Sequence, residues 1–330
     1  MKTRSYQAHL ITILGSLSLS LGVLATLWHQ NQIRIEDFLT QWHQTDKGLL
    51  ILVIVLSAAF HVFVGSHKLW CVINALSPGM TYAETLRIRL GVGPLRVLVP
   101  LDAGEFLNVF YLWRQKNMSL GRATGAATFD RGLNLLGAFF WLFVGWILLP
   151  QSWPSHWPSG YRWPLTGLGV LIYLIGFFCT SLHTLSIRLA SKIHVRIGGF
   201  LDGVLSPFQE LDWRRKLFFS CYALFFQIRP LIVCWLLFKV YGVYVTFVSV
   251  LAYGSLTIVA THVPGFVQGL GLREAILLYL FEGQASDETL LGVGILMTLS
   301  VHVIPMLLGL PWMMWFLKRL RSTAGWHKTG

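Results

Sequence analysis

Long apolar runs alternate with short polar connectors along nearly the whole chain. The runs at about 10–28, 49–72, 124–149, 164–185, 217–238 and 289–317 are each close to twenty residues or longer, the length a helix needs to cross a hydrocarbon core of about 30 Å. Two further stretches, about 80–113 and 244–283, are also apolar but carry proline, glycine and charge in their middles. The pattern predicts an all-α polytopic membrane protein of about eight spans, two of them broken.

The two breaks are VPLDAGEFLNVFYLW, residues 99–113, and THVPGFVQGLGLREAILLYLF, residues 261–281. Each runs into Pro (Pro100, Pro264) and Gly, carries a Glu (Glu105, Glu274) and resumes as an apolar helix. In hydrocarbon every backbone polar group needs an internal partner, so irregular backbone at that depth must be buried in protein or line a wet cavity. The breaks are therefore the expected functional core. The basic flanks of 80–113 make it enter from the cytoplasm and return there; the flanks of 244–283 make it enter from outside. Two broken or re-entrant hairpins from opposite faces are the signature of an inverted-repeat transporter architecture. Two ordinary helix pairs with polar turns are the alternative. The chain reads as one integral membrane domain, 1–330, with halves at about 10–185 and 217–317.

Composition agrees with this class. Hydrophobic residues make up 55% and charged residues 12% of the 330, with a mean hydropathy of +0.61; an average soluble domain has about twice that charged fraction. The formal charge of +12 would suit nucleic acid, but its distribution explains it otherwise. Of the 26 Lys and Arg, 18 fall in the segments 1–9, 73–96, 114–122, 186–216 and 318–330, and only four (Arg34, Lys47, Arg162, Lys239) fall in the alternate loops. By the positive-inside rule the rich segments and both termini are cytoplasmic, in a bacterial-type inner (plasma) membrane, and no nucleic-acid partner is implied. The run at 10–28 is too long for a signal peptide core and reads as a retained first helix. Cys71, Cys179, Cys221 and Cys234 all lie in apolar runs without paired spacing, which implies neither a disulfide framework nor a metal site. The Trp-rich stretch 151–163 reads as an outer interfacial belt. The basic, Leu- and Phe-containing stretch 186–216 reads either as an amphipathic surface helix or as a plain connector.

The remaining interest lies in charge at membrane depth. Asp102 and Glu105 flank Gly104 and are placed to cap the helix that follows, or to form a counter-charge site facing a cavity. Asp130 and Arg131 are adjacent and so face different neighbours on a helix; Glu105 is the expected partner of Arg131. Arg229 sits in the middle of FFQIRPLIVCWLLF beside Gln227 and Pro230. It must face the bundle interior, where the carbonyl freed by Pro230 is a local acceptor for Arg229 or Gln227. Arg273 and Glu274 open the helix after the second break, and the N–H groups near Gly271 are expected to form an anion site at its N-terminus. His262 and His302 read as structural histidines.

On PLDAGE at Pro100–Glu105, the Asp130-Arg131 step and the PG…GLGLREA stretch from Pro264 to Ala275, the chain resembles the lysylphosphatidylglycerol synthase transmembrane-region family, the flippase-like membrane domain also found in multiple peptide resistance factors. The resemblance spans roughly 50–315. Asn108 stands where the family often has Arg, Asp130 replaces a Glu, and Phe266-Val267-Gln268 are extra. It implies a flippase-like membrane protein that translocates or binds an amphiphilic lipid with an anionic headgroup, either an anionic phospholipid or an isoprenoid-linked lipid, with no cofactor. The residues themselves read as substrate-binding at Arg229, Arg273, Glu274, Glu105, Arg131 and Gly271, with Asp102, Asp130, Pro100 and Pro264 as structural or counter-charge groups. The lysyl-transfer chemistry of fused relatives belongs to a separate soluble domain, which is not expected in the stretch after residue 317. A non-transporting partner of a lipid-linked glycan or isoprenoid pathway is the alternative, and a membrane lipid or glycosyl transferase is disfavoured because no Asp-x-Asp pair or phosphate-binding Lys loop is present.

Overall fold

The computed structural model describes residues 2–98, 105–149, 167, 170–171, 180–261, 263 and 266–322. Pro100, Asp102, Pro264, His262, the 151–163 loop and most of the expected span at 164–185 lie outside the described residues, as does the side chain of Glu105.

The described chain is helical, with no strand. Four stretches are long and apolar enough to cross a membrane: Lys47–Leu76, Leu120–Leu148, Trp213–Val240 and Asp287–Leu320. Their starts are written in the sequence. Asp46, Ser119, Asp212 and Ser286 each stand as N-cap, the side-chain oxygen accepting a backbone N–H three residues on, which satisfies one of the four donors a helix start leaves open. In chain order the elements are α1 (Lys2–Gln30), α2 (Ile35–Gln44), α3 (Lys47–Leu76), α4 (Tyr82–Leu98), α5 (Glu105–Gln115), α6 (Leu120–Leu148), α7 (Thr180–Ile193), α8 (Val195–Glu210) and α9 (Trp213–Val240). α10 is one irregular helix, Phe247–Ser249 passing through a π turn at Val250–Gly254 into Ser255–Ala260. Then come α11 (Leu272–Leu280) and α12 (Asp287–Thr298), which runs through a second π turn, Leu299–Val303, into α13 (Ile304–Ser322).

Each interrupted stretch thus contributes two helices between long spans: α4 and α5, on either side of residues 99–104, between α3 and α6, and α10 and α11 between α9 and α12. The basic stretch 186–216 contributes to two helices, α7 and α8, packed on each other, with α8 also packed on α6. They leave Leu185, Leu189, Val195, Ile197 and Phe200 exposed, an amphipathic surface. One helix was not foreseen. α2 is short and amphipathic, and it is tied to α12 by Gln41, which bonds Ser286 and Thr289.

Packing follows membrane rules, where small residues let backbones approach. A Cβ on Gly91 of α4 would lie 2.8 Å from the Trp312 carbonyl oxygen, and one on Gly309 of α13 would lie 2.2 Å from that of Leu90. α4 and α13 therefore touch backbone to backbone. The apolar interior forms two clusters. One gathers Leu50 and Val53 of α3, Ala138 and Leu142 of α6, and Leu231, Leu237 and Phe238 of α9 with α10–α12. The other gathers Leu69 and Val72, Phe129 and Leu133, and Phe219 and Ala223 of the same three helices with α4, α5 and Phe316. Along α3, α6 and α9 the switch between clusters falls at residues 54–68, 134–137 and 224–230, and a polar seam occupies it.

Candidate functional site

The seam encloses a cavity of about 130 Å³. Five arginines line it: Arg89 and Arg96 from α4, Arg131 from α6, Arg229 from α9 and Arg273 from α11. Asp130 is the one carboxylate on the wall among the described residues, and Asn134, Gln227, Gln268, His61, His302, Thr257 and Thr261 add to its polar lining. The second π turn carries His302 and Val301 to this wall. A π turn inserts an extra residue into the helical register and often marks a functional site.

Asp130 is already matched. Its carboxylate lies 2.9 Å from Lys68 Nζ of α3, whose side chain is 1% exposed; Lys68 also donates to the Asn134 side-chain oxygen. This ion pair pins α3 to α6 and supplies the partner that Asp130 was expected to need.

Arg89, Arg229 and Arg273 are held by neutral groups. Arg229 is 7% exposed and reaches across to α3, where Nη1 donates to the Ser57 carbonyl at 3.2 Å. Gln227 likewise crosses to α6 and donates to the Asn134 carbonyl at 2.8 Å. The expected local use of the Pro230-freed carbonyl is thus replaced by bonds to neighbouring helices, which tie α9 into the bundle. Arg89 donates to the Gly65 carbonyl at 3.2 Å and lies 3.4 Å from His61 Nε2; a guanidinium only donates, so that nitrogen is the acceptor. Gly65 makes the room, since a Cβ there would lie 2.5 Å from the Arg89 guanidinium. Arg273, 1% exposed, donates to the Gln268 carbonyl at 2.6 Å. The Nε of Arg89, Arg229 and Arg273 is in each case buried without an acceptor, and none of the three has a carboxylate within ion-pair distance among the described residues. The ring of Phe226 sits among the cations, 5.2, 5.8 and 5.6 Å from Lys68, Arg89 and Arg229, and its negative face offsets part of their repulsion.

The second break is built around Arg273. Gln268, Gly269 and Gly271 all have positive φ, 53°, 75° and 88°, and Gly269 lies against the Thr261 backbone, where a Cβ would come within 3.0 Å. The Gln268 carbonyl holds Arg273 while the residue itself lines the cavity. Glu274 is fully buried and folds back to accept the Gly271 N–H at 2.6 Å. The N–H foreseen as part of an anion site is therefore occupied, and neither Gly271 nor Glu274 lies on the cavity wall. Their place is to shape the turn. α1 closes over it, with Ser20 Oγ accepting the Val267 N–H at 3.0 Å.

Of the residues singled out from the sequence, Arg131, Arg229, Arg273 and Asp130 meet at the cavity, with Gln227 and with His302, which was expected to be structural. Glu105 opens α5. Arg89, Arg96, Lys68 and His61 were not foreseen. Arg89 and Arg96 were counted as cytoplasmic charge, yet they stand seven apart in RIRLGVGPLR, on one helical face. Lys68 is a lysine inside an apolar span, itself a signal.

One family model matches residues 13–325, nearly the whole chain: the lysylphosphatidylglycerol synthase TM region. The chain belongs to that family and is a multi-pass membrane protein. No curated protein matches it.

Proposed function

We propose that this member of the lysylphosphatidylglycerol synthase TM region family is a flippase-like protein that takes an amphiphile by its anionic headgroup into the arginine-lined cavity and moves it across the bilayer, the tail staying in lipid. One observation carries the reading: Arg89, Arg229 and Arg273 converge at mid-bundle, held by carbonyls and ring nitrogen, with Nε–H donors left open. A cation in apolar surroundings is expensive without a counter-charge, and a guanidinium edge matches phosphate oxygens in a two-point grip.

The architecture we propose around it is one membrane domain of about eight crossings. The α4–α5 and α10–α11 units form two broken hairpins entering from opposite faces, related as an inverted repeat. Arg131 pairs with Glu105, which supplies counter-charge when no lipid is bound. Both termini face the cytoplasm of a bacterial-type plasma membrane. In a variant without its native cysteines, Asp37→Cys on α2 should label from outside intact cells and Asp202→Cys on α8 should not; the reverse result removes this orientation.

The decisive experiment is transbilayer movement of a fluorescent anionic lipid in vesicles reconstituted with the protein. Arg229→Gln and Arg273→Gln should fold, judged by size exclusion and thermal unfolding, and lose most of that movement. Variants that move anionic lipid at the parent rate would make the arginines structural. Variants and parent that bind the lipid alike but never move it would favour a non-transporting lipid-binding partner.

A further inference from the structure

The cavity has a second lobe. A space of about 110 Å³ adjoins the first and shares His61, Arg89, Arg96, Gln268 and His302 with it. Arg131, Arg229 and Arg273 line only the first lobe, while Arg89 and Arg96 stand on the wall common to both.

The charge around the two lobes decides what fits. Among the described side chains Arg89, Arg96, Arg131, Arg229, Arg273 and Lys68 stand against Asp130 and Glu274, an excess of four positive charges. Counting Asp102 and Glu105 as well still leaves two. In a water-poor interior an uncompensated charge is costly, and the favourable occupant is one that neutralises it with good hydrogen bonds. A single phosphodiester carries one negative charge and would leave part of the excess uncompensated on either count. Two linked phosphates bring two to three, and the two lobes share a wall of guanidinium where both can be met.

On this basis, and resting on the function proposed above, we infer that the headgroup this cavity receives is a lipid-linked diphosphate, with one phosphate in the Arg131–Arg229–Arg273 lobe and the other against Arg89 and Arg96. Each Nε–H left without an acceptor on Arg89, Arg229 and Arg273 is then a donor to a phosphate oxygen. Phe226 keeps the cations gathered before the headgroup arrives.

The test is binding by the purified full-length protein in detergent, read as thermal stabilisation at constant ionic strength. The probes are an isoprenyl diphosphate, the matching isoprenyl monophosphate, phosphatidylglycerol, inorganic pyrophosphate and orthophosphate. The diphosphate lipid should half-saturate at a concentration about tenfold or more below the monophosphate lipid and phosphatidylglycerol, the margin one added ionic hydrogen bond supplies. Pyrophosphate should outrank orthophosphate similarly while binding more weakly than the diphosphate lipid. Arg89→Gln should bring the diphosphate preference close to one, weakening the diphosphate lipid far more than the monophosphate, and Arg89→Lys should retain most of the preference. Equal affinity for all three lipids overturns the diphosphate inference and leaves the anionic-headgroup reading standing. Pyrophosphate binding as tightly as the diphosphate lipid shows a free anion to be the ligand, against both. Binding of no anionic lipid and no phosphate overturns both as well.

Discussion

The two broken units solve one problem in different ways. In the first, α4 brings its cations, Arg89 and Arg96, to the cavity from the limb before the break; in the second, the cation is Arg273, one residue into the limb after it. The first is framed by an ion pair between its flanking helices, Lys68 of α3 with Asp130 of α6. The second is held from within, by Glu274 folding onto the Gly271 N–H and Arg273 onto the Gln268 carbonyl. Charge in the membrane is thus used once as a strut between helices and once as a fastener inside a turn. What both leave over is the same: guanidinium groups facing one cavity with donors to spare.

That contrast is open to test, and the strut should give the largest effect. Lys68→Ala strands the Asp130 carboxylate at the cavity wall, and breaking one side of a buried pair costs about 3–5 kcal/mol. Replacing both, Lys68→Met with Asp130→Leu, should recover much of that loss. Thermal unfolding in detergent measures the cycle. Strict additivity would show that the two charges are not coupled, and α3 and α6 would then need another tie.

The fastener should cost less. Glu274→Ala leaves the Gly271 N–H buried without an acceptor, and a hydrogen bond to an ionised group is worth about 1.5–3 kcal/mol. Because that carboxylate shapes the turn rather than meeting the headgroup, Glu274→Gln should keep most lipid binding, the amide oxygen still accepting from Gly271. A Glu274→Gln variant that is fully stable yet cannot bind would put the carboxylate in the binding site after all.

Phe226 comes next. It belongs to neither unit but gathers cations from both halves, Lys68 and Arg89 on one side and Arg229 on its own helix. Phe226→Leu keeps most of the apolar volume and removes the ring face, so about 1–2 kcal/mol of cation–π stabilisation should be lost in this desolvated setting. Apparent lipid affinity should fall with it as the guanidinium groups spread, which titration of the variant measures.

These effects also show which parts of the molecule the sequence makes plain. The long spans are legible because an apolar run with Asp or Ser at its start has one structural meaning. α2 escaped notice because ten residues with a polar face, IEDFLTQWHQ, leave no apolar run to see. At the site, Arg131, Arg229 and Arg273 stand out as charges amid apolar neighbours. Arg89 and Arg96 were hidden by the positive-inside rule, which counts cations by segment and cannot distinguish a lysine or arginine at the headgroups from one facing a cavity. The Gly271 N–H, expected to stand open to an anion, is met by Glu274 for a readable reason. A glutamate three residues after an N-cap is the capping-box spacing, and here the chain supplies its own anion.

Two glycines give the smallest and most discriminating prediction. Each makes room for a charged side chain, Gly65 for Arg89 in the first unit and Gly294 for Glu274 in the second. At Gly65 a new methyl meets Arg89 at Nη2, Cζ and Nε, the far end of a flexible side chain, within 2.5–2.9 Å. The guanidinium can swing away, and alanine gains up to about 1 kcal/mol of helix propensity over glycine. Gly65→Ala should therefore leave the unfolding temperature nearly unchanged while weakening headgroup binding. At Gly294 the methyl meets Glu274 at Cγ, 2.7 Å away, close to the backbone of a fully buried residue that holds a turn. That group cannot swing without releasing Gly271, so Gly294→Ala should destabilise, by less than the loss of the carboxylate itself. If the strut and the fastener are distinct devices, one alanine is silent in stability and audible in binding, and the other is felt first in stability. Equal stability losses at the two positions would mean that Arg89 is as rigidly built into the fold as Glu274, and the first unit would then be a second fastener rather than a mobile hand on the headgroup.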